Sequence, residues 1–429
     1  LTPAIEERRA VHLEYKRSPS QRTLQEYRFA RSKVQRLARQ CANDYWLQLC
    51  RSIQLSADTG NIRGMYDGIK KAMGPTKKWR VSLKSATGEN IQDKGKQMDR
   101  WVEHYSEVYS RQNTVTEAAL NTVDGFPVEI ELDEKPTMEE LKKVIESLST
   151  GKAPGKDGIP PQVIKCGINV LLEHLHDLLC QCWDEGAVPQ DMRDANIVTL
   201  YKNKGDRSDC NNYRGISLLS VVGKVFARVI LNRLQKLADR VYPESQCGFR
   251  AGRSTTDMVF SLRQLQEKCR EQHKPLLLAF IDLTKAFDLV NRDGLFKILA
   301  KIGCPPKLLS VIQSFHDNMK GTVLYDGLSS DAFDIHSGVK QGCVLAPTLF
   351  GIFFAALLKH AFGNSTEGVY LHTRSDGRLF NLARLKAKSK VREATIRDML
   401  FADDAALATH TEIDLQRLTV FPELAKSSG

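Results

Sequence analysis

From Gln21 to Ile53 apolar residues recur at mostly three- and four-residue spacing (Leu24, Tyr27, Val34, Leu37, Cys41, Tyr45 and Leu49), with arginines between them. That period gathers them on one face and predicts an amphipathic basic helix. Between Gly60 and Asp133 the pattern dissolves into glycines, polar residues and short apolar runs, as expected of a connector with small elements. Periodicity resumes after a soft boundary near Pro136. There Thr137 and Glu140 make a capping-box pattern ahead of Leu141, Val144, Ile145 and Leu148, with Gly151 as the stop. Helical spacing returns at Val222, Val225, Phe226, Val229, Ile230 and Leu234, and again from Ser254 to Cys269. The longest apolar run, Thr348 to Leu358, is bracketed by Pro347 and Lys359. It is about half of the roughly 20 residues a membrane span needs, so it reads as a buried helix.

Strands are scarcer. Leu276 to Leu283 is an apolar run broken only at Asp282, as in a strand covered on both faces. Gly321 to Tyr325 and Ala332 to His336 flank Asp326-Gly327, a hairpin signal. Ile396 to Ala402 and Ala405 to Ala408 flank Asp403-Asp404, a second hairpin with acids at its turn. Local hairpins with helices between them predict an α+β layer architecture rather than strict βαβ alternation.

Charge sharpens the division of the chain. Of a formal net charge of +11, nearly all lies in residues 1–80, which carry 17 Lys and Arg against 7 Asp and Glu. A polyanionic partner follows from that imbalance, and the helix from Gln21 reads either as a solvated charged face or as a nucleic-acid-contacting arm. Ten cysteines without a secretory leader point to reduced thiols inside the cell. His174, His176, Cys180 and Cys182 cluster, but in a Leu-rich helical stretch and at no usual zinc spacing. The segment Gly151-Lys-Ala-Pro-Gly-Lys-Asp lacks both the glycine spacing and the Ser or Thr of a phosphate loop.

The candidate chemistry lies in the acids. Asp282 ends an apolar strand, and Phe401-Ala402-Asp403-Asp404 sits at the tip of a later hairpin. Two carboxylates at ~4 Å repel by about 4 kcal/mol at an effective dielectric of ~20. A divalent cation reverses that sign. Mg²⁺ suits such a site because it takes hard oxygens, keeps several waters and needs only one or two protein carboxylates beside substrate phosphates. Two such ions about 3.5–4 Å apart would activate a primer 3′-hydroxyl and stabilise the departing pyrophosphate.

Six motifs occur together in order: Gly151-Lys-Ala-Pro-Gly-Lys-Asp-Gly158, Asn212-Tyr-Arg-Gly-Ile-Ser-Leu218, Gln246-Cys-Gly-Phe-Arg-Ala-Gly-Arg-Ser254, Phe280-Ile-Asp-Leu-Thr-Lys-Ala-Phe287, Gly338-Val-Lys-Gln-Gly-Cys343 and Phe401-Ala-Asp-Asp404. From about Asn43 to Leu415 the chain resembles reverse transcriptases of LINE-type (non-long-terminal-repeat) retrotransposons. The resemblance implies an RNA-directed DNA polymerase with Asp282 and Asp403 as metal ligands and Asp404 beside them as a weaker or indirect one. It also implies a cofactor of two Mg²⁺ ions, with Mn²⁺ as a substitute. Phe287 matches the bulky residue beneath the incoming sugar, which would exclude a 2′-hydroxyl. Gln341 and Gly342 match the loop along the template base and nascent pair, where glycine allows close backbone approach. Arg214 matches the arginine that grips the triphosphate, with Lys202 and Lys204 as nearby candidates.

The resemblance further implies a right-hand arrangement of fingers and an antiparallel palm sheet over residues 136–429, preceded by a basic helical extension (1–80) and a connector (81–135). Partners would be an RNA template, a DNA primer with the RNA/DNA duplex it forms, and deoxynucleoside triphosphates, with no membrane. Synthesis at a chromosomal target would place it in the nucleus. Two departures stand out: no endonuclease domain precedes the connector, and about 25 residues follow Asp404 where the family continues into a thumb. The thumb is thus expected to be largely absent. Two rival expectations remain: a catalytically incomplete RNA-binding remnant, and an RNA-templated RNA polymerase, against which Phe287 argues.

Overall fold

The computed structural model describes residues 1–74, 82–110, 115–363, 365–374 and 391–419. The chain divides into two units, Leu1–Arg80 and Val81–Gly429. The first is helical: α1 (Thr2–Arg17), α2 (Gln21–Asp58) and α3 (Ile62–Met73). The amphipathic helix expected from Gln21 is present as α2. It opens at a capping box between Ser20 and Thr23 and runs on to Asp58. α1 covers its first turns, burying Ala4, Ala30 and Val34 and stacking His12 on Tyr27 at 4.8 Å. α3 returns along its last turns, where Gly68 leaves no room for a side chain beside Ile53. From Ala38 to Gln48 every residue is exposed.

The second unit opens with a short hairpin, β1 (Leu83–Lys84) and β2 (Asn90–Ile91), followed by α4 (Lys94–Tyr109) and α5 (Glu117–Asn121). This stretch is more ordered than its lack of sustained periodicity suggests. On α4, Trp101, Tyr105, Val108 and Tyr109 fall at helical spacing and are buried with Ile197, Val323 and Ile335 in a second hydrophobic core. Only two turns carry the pattern, and polar flanks hide it in the sequence. Next comes α6 (Met138–Glu146), which starts at the expected Thr137–Glu140 capping box. It stops at Ser147, short of Gly151, where the Ser147 hydroxyl donates to the Val144 carbonyl at 2.7 Å and competes with the helical ladder.

There follow α7 (Pro161–Cys166), α8 (Ile168–Glu185), α9 (Gln190–Arg193), β3 (Ala195–Tyr201), β4 (Tyr213–Leu218), α10 (Val221–Val241), α11 (Thr255–Glu271) and β5 (Leu277–Asp282). Then come α12 (Arg292–Lys301), α13 (Pro306–Ser314), β6 (Lys320–Tyr325), β7 (Leu328–Ser329), β8 (Phe333–Asp334), α14 (Ala346–Phe362), β9 (Val369–Arg374), β10 (Val391–Ile396), β11 (Asp398–Phe401), β12 (Asp404–Thr409) and α15 (Glu412–Thr419). The main core gathers Leu141, Trp183, Phe226, Ile230, Leu299 and Ile352 from five of these helices. On α8, His176 meets the Pro136 carbonyl at 2.9 Å and Cys182 is buried, so this His/Cys group serves packing. The apolar run around Thr348 lies inside α14, and among the described residues no helix is long and apolar enough to cross a membrane.

Two sheets matter for the site. In the larger, strands run in the order β4-β3-β6-β7, with β8 also on β6. The β3–β6 pair is parallel and the others are antiparallel. The hairpin signal at Asp326-Gly327 is a two-residue turn with positive φ at both positions (48° and 80°), which matches the right-handed twist of the strands. Its immediate partner is β7, and β8 pairs farther down β6. The smaller sheet, β11-β12-β5, is wholly antiparallel. The fold is α+β with antiparallel and mixed sheets. Of the stretch 415–429, where the sequence loses the expected pattern, residues 420–429 lie outside the described residues.

Candidate active site

The smaller sheet brings the acids together. β12 pairs with β5 so that Asp404 faces Asp282, Ala406 faces Phe280 and Ala408 faces Leu278. β12 also pairs with β11, where Phe401 faces Asp404. The tight turn is therefore Ala402-Asp403, one residue earlier than the sequence pattern suggests, and Asp404 is already the first residue of a strand. Ala402 takes a positive φ of 57°, a conformation unfavourable for alanine that surrounding contacts must hold.

Asp282 and Asp403 open into one cavity of about 330 Å³, together with Phe287, Gln341, Arg214, Lys202 and Lys204. Seven of the nine expected residues thus share one space. Asp404 lines instead an adjoining apolar cleft, with Asp282, Phe280, Phe401, Met258 and Met399. The alternation of side chains along a strand sends Asp404 to the face that carries Phe280. Gly342 is also displaced from the cavity: its φ of 109° and its approach to the Ser217 backbone, where a side chain would collide, dock the loop onto β4. Ser217 N–H donates to the Gln341 carbonyl at 2.8 Å across that junction.

Further cavity residues escaped the sequence reading, among them Lys285, His104 and Tyr105. Lys285 has φ 58° in the turn between Asp282 and Phe287, a conformation without a sequence signature in lysine. His104 and Tyr105 come from α4, whose spacing with Trp101 and Val108 is the signal that could have found them. Phe287 is braced by aromatic rings, stacked on Phe350 at 4.5 Å and edge-on to Phe249 at 6.1 Å.

Charge in the cavity is divided. Burial raises Asp403 above the usual carboxylate range, and the neighbouring charges of Asp404 and Asp282 push it the same way, while Arg214 pulls it down. Such crowding of acids is what a cation relieves. Among the described residues no three His, Cys, Asp or Glu side chains form a ready-made metal cage. The donor set still fits a hard divalent ion that takes its remaining ligands from water and phosphate.

A family model described as reverse transcriptase (RNA-dependent DNA polymerase) matches residues 201–423, more than half of the chain. The chain belongs to the reverse transcriptase family. Among its relatives is the RNA-directed DNA polymerase of the mobile element jockey from Drosophila melanogaster, 33% identical over 226 residues, 52% of this chain and 25% of that protein. The jockey polymerase of Drosophila funebris is 31% identical over 274 residues, 63% of this chain and 29% of that one. A 149 kDa uncharacterized protein of transposon TX1 from Xenopus laevis is 25% identical over 372 residues, 85% of this chain and 27% of its own length. The chain thus spans between a quarter and three tenths of these relatives. The resemblance to polymerases of LINE-type elements holds.

The lining of the cavity also includes Asp288, next to Phe287. Burial pushes its carboxyl up to about 6, against the pull of Lys285, a hydrogen bond from Tyr109 and Lys202. An unfolded aspartate titrates near ~3.9, so between there and 6 the folded chain holds the extra proton and stability falls as pH rises. Asp288→Asn removes that titration. Its thermal midpoint is therefore expected to gain on the unmutated chain between pH 4 and pH 7 in a fluorescence melt; a constant gap would refute the assignment.

Proposed function

We propose that this chain is the polymerase portion of a non-long-terminal-repeat retrotransposon protein, copying RNA by adding deoxynucleotides to a primer 3′-hydroxyl. The observation that carries the proposal is the convergence of Asp282, Asp403, Arg214, Phe287 and Gln341 on one cavity. In this reading the smaller sheet is the floor of a palm and the larger one belongs to the fingers of a right-hand polymerase.

Asp282 and Asp403 would hold two Mg²⁺ ions, with Asp404 as an outer contributor. Held there, such ions would supply Lewis acidity, lowering the pKa of the primer hydroxyl and offsetting charge on the leaving pyrophosphate. Arg214, Lys202 and Lys204 hold the triphosphate, Arg214 with a planar, permanently charged fork. Gln341 lies along the template base and the nascent pair. RNA template, DNA primer and deoxynucleoside triphosphates are the partners, and work at a chromosomal target puts the protein in the nucleus. In the first unit, exposed Tyr45 and Trp46 stand among the arginines of α2, a combination that grips single strands by stacking and by charge.

Phe287 closes the space beneath the sugar and so selects deoxynucleotides. Apolar pockets reject an added hydroxyl by about 100-fold, so Phe287→Val should raise ribonucleotide incorporation relative to deoxynucleotide by up to about that factor. Competing dTTP and UTP in single-nucleotide extension measures it; an unchanged ratio would remove Phe287 from that role. The proposal itself is tested by extension of oligo(dT) on poly(rA) with Mg²⁺ and dTTP. Extension supports it. A folded chain that binds the RNA and extends nothing is an RNA-binding remnant.

A further inference from the structure

In the motif Gln246-Cys-Gly-Phe-Arg, Phe249 braces Phe287, whereas the first residue touches the turn that carries Asp403. Ser245–Gly248 runs beside β11: Leu400 N–H donates to the Ser245 carbonyl at 3.0 Å, and Cys247 N–H donates to the Leu400 carbonyl at 2.9 Å. The Gln246 side chain, 3% exposed, reaches past the end of that ladder. Its Oε1 accepts the N–H of Ala402 at 3.0 Å and the N–H of Gly248 at 2.8 Å, and its Nε2 donates to the Ala402 carbonyl at 3.3 Å. One side-chain amide thus satisfies both backbone groups of Ala402, as a peptide unit of a neighbouring strand would.

Three observations converge on Ala402. It is a non-glycine residue at positive φ. It is 7% exposed, so its backbone groups are sheltered from solvent. Gly248 packs so closely that a side chain there would fall 2.0 Å from the Ala402 nitrogen. Glycine at 248 allows the approach, and the Gln246 amide supplies the hydrogen bonds that offset the unfavourable turn.

We propose that Gln246 is a positioning residue for Asp403: it clamps Ala402 in its left-handed conformation and thereby sets where the next residue's carboxylate lies relative to Asp282. The proposal rests on the reading of Asp403 as a metal ligand. A glutamine suits the task because it both donates and accepts without adding charge beside three carboxylates.

Gln246→Met keeps the volume and removes the three hydrogen bonds, while Gln246→Glu keeps the acceptors and loses the donor. Amide exchange on the full chain is read first: in the unmutated protein the Ala402 amide is expected to be protected like its sheet neighbours, although it lies in a turn. A freely exchanging Ala402 amide overturns the clamp without any variant. In Gln246→Met that protection is expected to vanish while the amides of α10 and α14 keep theirs. Mn²⁺ binding to the chain, followed by electron paramagnetic resonance, should weaken by about 10-fold or more, as for residues that orient metal ligands. The turnover number in primer extension should fall with it while the KM for dTTP stays within about threefold, and Gln246→Glu should fall between. Lost Ala402 protection with unaltered Mn²⁺ affinity and turnover would make Gln246 a purely structural residue and overturn the proposal. Asp403→Ala is the control for the underlying reading: if it binds Mn²⁺ as the unmutated chain does, the assignment of Asp403 fails, whatever Gln246 does.

Discussion

Asp403→Ala is expected to abolish primer extension, lowering it by well over about 100-fold, since changes to residues that merely orient metal ligands already cost 10–100-fold. The expectation follows from position. Asp403 sits at the turn of the β11–β12 hairpin and opens into the cavity shared with Asp282, Arg214 and Phe287. Asp282, at the end of β5, should behave alike. Asp404 differs, because its strand position turns it into the neighbouring cleft and toward solvent. Asp404→Ala is expected to retain more activity than Asp403→Ala. Steady-state extension on poly(rA) and oligo(dT) compares the three variants at matched fold, checked by circular dichroism. Equal losses for Asp403 and Asp404 would mean that the two carboxylates act as one unit and that the division between cavity and cleft has no functional meaning. RNA binding should survive in all three variants, since phosphate contacts come from cations rather than from these acids.

The second large effect is on stability. Trp183→Ala is expected to destabilise the second unit by about 3–5 kcal/mol, within the range for emptying a large aromatic site. Trp183, fully buried on α8, packs in the main core with Phe226 and Leu179. Its indole N–H donates to the Asp133 carbonyl at 3.1 Å, and the Arg233 guanidinium lies 4.8 Å from its ring centroid. Arg233 is itself buried, donating to the Leu132, Glu134 and Lys135 carbonyls and to Glu140. The substitution therefore removes apolar contacts, leaves a carbonyl without its donor and exposes one face of a buried cation to a void. Domains are stable by only about 5–15 kcal/mol, so a loss of this size should appear as a clear fall in the urea midpoint. Trp183→Phe should recover most of the volume and retain a deficit of about 1–3 kcal/mol for the unpaired carbonyl. A midpoint unmoved by Trp183→Ala would mean that this core is not under the tension of close packing.

Much of the candidate site was legible in the sequence because its motifs are local. The apolar strand ending in Asp282, the Phe-Ala-Asp-Asp string and the spacing of Phe287 from Asp282 are short-range patterns, and all but two of the nine expected residues share the cavity. Other features depend on segments far apart in the chain. Which of two adjacent aspartates enters the cavity is decided by the hairpin: Asp404 is held in the ladder opposite Asp282, on the face that carries Phe280, while Asp403 lies in the turn beyond the ladder. The contribution of α4 was hidden because Tyr105 and His104 reach the site only when α4 packs on the larger sheet.

By itself the sequence determined the helices with sustained apolar period, the Thr137–Glu140 capping box, the Asp326-Gly327 turn and the family, since each is written in neighbouring residues or in motif order. Only the tertiary structure decided which acid faces the cavity, that Gly342 docks on β4, and that Gln246 reaches Ala402 from 156 positions away. Secondary structure answers to local sterics and periodicity, whereas register, close backbone approach and hydrogen bonds to sheltered turns are settled by packing between distant segments.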